Sequence, residues 1–186
     1  MKYSTMSKLS IDKVQHKDRL FRYLFGNPKY KQYALNLYNA LNGTDYSDPD
    51  AIEFNTIEET LFIHLKNDAS FLIYNQLNVL ENQSSWNPNM PLRELFYVTD
   101  RFARNIRDHD RNALYKNKLY RIPLPKLFMF YNGRDHAPKE DYLYLSDAFL
   151  PTSLDPSDIS VRVRIVDISP EGKDKDLLER CEPLKE

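Results

Sequence analysis

The chain has 186 residues, 41% apolar and 13% aromatic, a formal net charge of -1 and a single cysteine. That is enough apolar material for one sizeable core and favours one domain over two, while the near-neutral charge excludes a global pull toward nucleic acid or anionic lipid. No run approaches ~18 apolar residues and the opening segment lacks a secretory apolar stretch, which argues against a membrane helix and for the cytoplasm; the lone Cys181 excludes an intrachain disulfide and argues against a cysteine zinc site.

Residues 1–16 read as a flexible segment, 17–170 as one folded domain and 171–186 as the opening of a further helical region that stops early. From Lys17 to Asn42, Leu20, Phe21, Leu24, Phe25, Tyr30, Tyr33, Ala34, Leu37, Tyr38 and Leu41 recur at helical spacing. "GNP" at 26–28 interrupts them, with Pro28 placed to open a second helix and Gly43 to close it. The stretch 44–59 carries six acids and no base, which predicts a solvated loop leading into a short strand over Thr60–Ile63.

"DASFLIY" and "LNVLENQ" are rich in strand formers, and a two-residue turn at Asn75-Gln76 makes them a hairpin. That register sets Asp68 opposite Gln83 and Glu81 opposite Ser70. Side chains alternate along a strand, so Asp68, Ser70, Glu81 and Gln83 then share one face at one end of the hairpin. Farther on, "NPNMPLRELFYVTDRFARNIRDHD" predicts a long helix, with Pro91 in its first turn and Leu92, Leu95, Phe96, Phe102, Ala103 and Ile106 as its apolar stripe. "KLFMFYNG" and "SVRVRIVDI" read as two further strands. The element order predicts an α/β fold with one central mixed sheet between helices.

Burying Asp68, Glu81 and Gln83 without partners is costly. A divalent cation such as Mg²⁺ would explain them, since it takes hard oxygen ligands, usually one or two carboxylates plus waters and phosphate oxygens. Such an ion polarises a phosphodiester and lowers the pKa of bound water, and the Gln83 amide can orient that water but cannot serve as a base. The ordinary alternative is a pair of solvated strand ends, and spacing alone leaves both open.

The segments "KDRLFRYLFGNPKYKQYALNLYNALNGTDYSDPD", "LKNDASFLI", "ENQSSWNPNMPLR", "KLFMFYNG" and "LSDAF" resemble, in order, the Rpn recombination-promoting nucleases, also described as transposase-like members of the PD-(D/E)XK nuclease superfamily. The resemblance implies a restriction-endonuclease-like core, Mg²⁺ or another divalent cation as cofactor and double-stranded DNA as substrate. It places the metal-binding carboxylates on Asp68 and Glu81, and the Glu-x-Gln strand motif on Glu81 and Gln83. Glutamine stands where the wider superfamily usually has lysine, which leaves the general base open. Asn82 stands where many relatives carry histidine. Asp18, in the opening helix, corresponds to a place where the superfamily sometimes has a supporting acid; a helix N-terminal acid favoured by the macrodipole explains it equally.

Between Arg93 and Lys126 nine basic residues stand against four acidic ones. Arg101, Arg104 and Arg107 recur every third position, spaced either to neutralise DNA phosphates, as the resemblance implies, or to form an ordinary solvated helix face, and Arg93, close after the strand motif, is placed to reach the scissile phosphate. The expectation is a cytoplasmic endodeoxyribonuclease with Asp68, Glu81 and Gln83 at its centre, able to form homo-oligomers. The alternative is a non-enzymatic DNA-binding or regulatory member of the same family.

Overall fold

A computed structural model describes residues 19–54, 68–134, 138–152, 157–181 and 184. Asp18 and the strand expected at Thr60–Ile63 lie outside the described residues. The first described element, α1, spans 19–25, and Gly26 ends it by donating its N–H to the Arg22 carbonyl at 2.8 Å. Asn27 then caps a single 3₁₀ turn over Pro28–Tyr30, and α2 runs Lys31–Asn42 until Gly43 adopts the left-handed conformation at φ 66°. Proline opening and glycine closing are what their fixed and permissive φ values favour.

Six strands follow: β1 (Glu53–Phe54), β2 (Ala69–Ile73), β3 (Gln76–Gln83), β4 (Leu124–Tyr131), β5 (Tyr142–Tyr144) and β6 (Arg162–Asp167), with α3 (Met90–His109) between β3 and β4 and α4 (Lys175–Arg180) after β6. They form one mixed sheet in the order β1-β2-β3-β4-β6-β5. The centre is parallel, with β3 beside β4 and β4 beside β6, and the flanking pairs are antiparallel. A parallel neighbour requires a crossover, and α3 supplies it between β3 and β4.

Both faces of the sheet are covered. Phe21 and Phe25 of α1, Leu35, Leu37 and Tyr38 of α2, and Leu177 of α4 close over Ala69, Phe71, Ile73, Leu80, Phe128 and Phe130. On the other face Tyr97 and Val98 of α3 meet Leu77 and Val79 in one cluster, and Met90 meets Met129, Tyr131 and Ile165 in another. Leu177 and Cys181 are both buried in the first cluster, so α4 packs onto the same core. Among the described residues no helix is long and apolar enough to cross a membrane.

Three expectations need correction, and one strand was not expected. The hairpin turn is Tyr74-Asn75, both at positive φ (46° and 63°), so Ile73 pairs with Gln76 and the register moves by two residues. Two-residue hairpins prefer this left-handed pair because its twist matches the strands, and Asn tolerates it well. The acidic stretch is not all loop: Ile52 is buried, and Glu53–Phe54 pair with Leu72 and Phe71 at the sheet edge. Residues 142–144 add an edge strand that alternation over only three positions could not announce. Finally, α3 is rotated from its expected stripe. Met90, Pro91, Glu94, Tyr97 and Val98 face inward, while Leu92 and Phe96 are exposed.

Candidate functional site

The site lies where β3 ends and α3 begins. A two-residue shift of register preserves parity, so Asp68 stays on the face that carries Glu81 and Gln83. Continuing the observed ladder by one step from Ala69 and Leu80 sets Asp68 opposite Glu81 rather than opposite Gln83. The main chain holds the aspartate there: the Asn82 N–H donates to Asp68 Oδ2 at 2.8 Å. Gln83 Nε2 donates to Glu81 Oε2 at 3.4 Å, a long contact. The Asn82 side chain turns away and accepts from Asn132 Nδ2 at 3.1 Å, tying the ends of β3 and β4 together.

From above, α3 contributes Arg93 and Glu94. Arg93 Nη2 donates to Glu81 Oε2 at 3.1 Å and to the Tyr97 hydroxyl at 3.3 Å. Glu94 is 0% exposed and Glu81 1%. Among the described residues neither Glu94 oxygen has a hydrogen-bond partner, nor does Glu81 Oε1. Burial and the charge of Asp68 push Glu81 up to about 8 against the opposing pull of Arg93. Burial first, then Glu81, holds Glu94 well above the ordinary carboxylate range. The direction is the physical one: an ionised carboxyl out of water beside other acids is destabilised unless a counter-charge reaches it.

Arg22, near the end of α1, donates through Nη2 to Asp68 Oδ1 at 3.0 Å. Sequence reasoning missed both Arg22 and Glu94. Arg22 sits 46 positions from its partner, and no local signal links them. Glu94 could have been found by asking which face of the helix includes Met90 and Tyr97, because i, i+4 and i+7 share a side.

The other predicted residues are not gathered here. Arg104 Nε donates to Asp100 at 2.8 Å, Arg101 is half-buried, and the exposed Arg107 lies 3.8 Å from Asp108. A cavity of ≈ 470 Å³ opens toward the opposite end of β4, lined by Lys126, Arg162 and Arg164 together with apolar residues. It includes none of the acids discussed above.

For a cation the donor chemistry fits in part. Among the described residues no set of three or more His, Cys, Asp or Glu side chains is spaced to hold a metal. A pair of carboxylates completed by waters is nevertheless the usual protein share of a Mg²⁺ site. Asp68 and Glu81 are such a pair, and Glu81 Oε1 is buried and unpartnered. No family model, no curated protein and no solved structure matches this chain.

Proposed function

We propose that the protein is a divalent-cation-dependent DNA endonuclease of the PD-(D/E)XK type, built like the Rpn nucleases that its sequence resembles. The observation that carries the reading is the acid pair Asp68 and Glu81 at the hairpin end, with Glu81 Oε1 buried and, among the described residues, unpartnered, and the buried Glu94 of α3 beside it. Buried acids are costly in a purely structural role, and a pair of carboxylates is the usual protein share of a Mg²⁺ site. A six-stranded mixed sheet with helices on both faces is the coarse layout that this reading expects.

In this reading Asp68 and Glu81 would hold the ion, whose chemistry would be to polarise a phosphodiester and make water more acidic. Gln83 would orient a water through its amide, and the Asn82 N–H holds the Asp68 carboxylate by Oδ2. Arg93 is close enough to exchange Glu81 for a phosphate oxygen, and its planar fork suits both partners. Arg107, and Arg101 and Arg104 where their neighbours release them, add contacts to the DNA backbone. A supercoiled-plasmid nicking assay with and without Mg²⁺, beside Asp68→Ala, tests the assignment. Metal-dependent nicking is expected from the unaltered chain alone, and equal nicking by both proteins refutes it.

One observation favours a second reading. Both Asp68 oxygens are already engaged, and Arg93 already neutralises Glu81, which suits a DNA-binding or regulatory relative in which salt bridges replace the metal. Metal titration separates the two, because only the nuclease needs the ion.

A further inference from the structure

Two guanidiniums face the acid cluster, and they are held very differently. Arg93 lies among Met90, Glu81 and Tyr97, with contacts to all three. Arg22 has a side chain 54% exposed, and among the described residues the ion pair with Asp68 is the contact that fixes its guanidinium. Among the described residues Asp68 therefore has one permanent partner and one removable one. The Asn82 N–H belongs to a strand paired on both sides and cannot leave. The Arg22 side chain can leave by a change of rotamer.

The backbone explains how Arg22 reaches this place. A Cβ on residue 26 would stand 2.8 Å from the Arg22 carbonyl and 3.2 Å from the Asp68 carbonyl, so the glycine lets the end of α1 close on the start of β2. That approach sets Arg22 over Asp68 Oδ1 at 3.0 Å. A Mg²⁺ ion sits at about 2.0–2.1 Å from its carboxylate oxygen. An ion taking Oδ1 would compete with the guanidinium for the same oxygen, and like charges that close repel where water is scarce.

We propose that Arg22 is the counter-charge that a divalent cation displaces from Asp68, and that the freed guanidinium takes a phosphate oxygen of the DNA. Arg22 is thus a positioning and substrate-binding residue whose two roles exclude each other. It keeps Asp68 neutralised until the ion arrives, and couples cation binding to grip on the nucleic acid. The inference rests on the cation reading of Asp68 and Glu81.

The test is titration of the intact chain with Mn²⁺, followed by calorimetry, for the unaltered protein, Arg22→Gln, Arg22→Met and Asp68→Asn. Removing the competing guanidinium should tighten Mn²⁺ binding about three- to tenfold in both Arg22 variants, in line with the value of a partly exposed ion pair. Asp68→Asn should abolish binding. Unchanged or weaker Mn²⁺ affinity in Arg22 variants whose circular dichroism is native overturns the inference and leaves the cation reading standing. Failure of the unaltered protein to bind Mn²⁺, or full binding by Asp68→Asn, overturns the cation reading itself. A second readout is DNA affinity over a salt series in Ca²⁺. The slope of log affinity on log salt should be steeper by ~0.9 for the unaltered chain than for Arg22→Gln, one phosphate contact's worth. Equal slopes overturn the phosphate role.

Discussion

The mouth of the hairpin and the middle of α3 are both dense in charge, yet the fold treats them in opposite ways. Along α3 the charges are neighbours in sequence and match one another: Arg104 finds Asp100 one turn away, and Arg107 lies beside Asp108. At the hairpin mouth the acids Asp68, Glu81 and Glu94 are brought together by folding and, among the described residues, leave three oxygens without partners. Charges close along a helix can be balanced locally at almost no cost, worth a few tenths of a kcal/mol per pair. Charges gathered from separate elements can be balanced only by tertiary counter-charges, here Arg22 and Arg93. The unbalanced remainder is where a fold gives up stability for function.

The largest expected break in that contrast is chemical. In the proposed nuclease, Asp68→Ala and Glu81→Ala should each take Mg²⁺-dependent nicking to near background, because each would remove a carboxylate on which the proposed ion depends. The corresponding loss on α3, Asp100→Ala, should leave nicking within about threefold of the unaltered protein, since it frees Arg104 rather than removing a ligand. Comparable losses at both places would show that the two regions do not differ in kind.

A second, smaller effect concerns stability. Burial raises Glu81 to about 8 and Glu94 well above the ordinary range. A carboxyl whose folded pKa exceeds its unfolded one binds its proton more tightly in the folded chain. Its contribution is complete below the ordinary carboxylate range and is lost as pH rises toward 8. Thermal unfolding without divalent ions should therefore begin at falling temperature as pH goes from about 5 to about 8, and saturating Mg²⁺ should flatten the fall. Glu94→Met, which replaces the unpartnered carboxyl by an apolar group of similar size, should gain about 1–3 kcal/mol at the upper end of this range and less at the lower. A variant less stable than the parent at pH 8 would mean that Glu94 has a partner that stabilises its charge.

How much of this was legible in the sequence follows from the range of each signal. Helix stops at Gly43 and the strand runs around Phe71 and Phe128 are local, and they were readable. The parity that unites Asp68 with Glu81 was also readable, and it tolerated the misplaced turn because an error of two residues returns every side chain to its face. An error of one would have separated the acids. The rotation of α3 was not readable from hydropathy, because Leu92 and Phe96 are large and apolar yet exposed, whereas Glu94 is charged and fully buried. Apolar periodicity assumes that the buried face is the greasier one, an assumption that fails where a helix lends an acid to a site. Arg22 was invisible for a simpler reason: its relation to Asp68 exists only after α1 docks on the sheet.

The smallest predicted effect sharpens the contrast from the side of α3. Each phosphate contact on duplex DNA contributes ~0.9 to the slope of log affinity against log salt, so three contacting arginines would reduce it by between two and three when replaced together. The structure predicts less. Arg104 has a side chain 17% exposed and is already paired with Asp100, while that of Arg107 is 44% exposed. The triple variant Arg101→Gln, Arg104→Gln, Arg107→Gln should lose about one unit of slope or less, most of it reproduced by Arg107→Gln alone. Arg104→Gln should instead cost about 0.5 kcal/mol of folding stability, the value of an i,i+4 pair. A fall of two or more in the triple variant would mean that Arg104 releases Asp100 to take a phosphate, so that the helix pairs are as exchangeable as the Arg22 contact at the hairpin mouth.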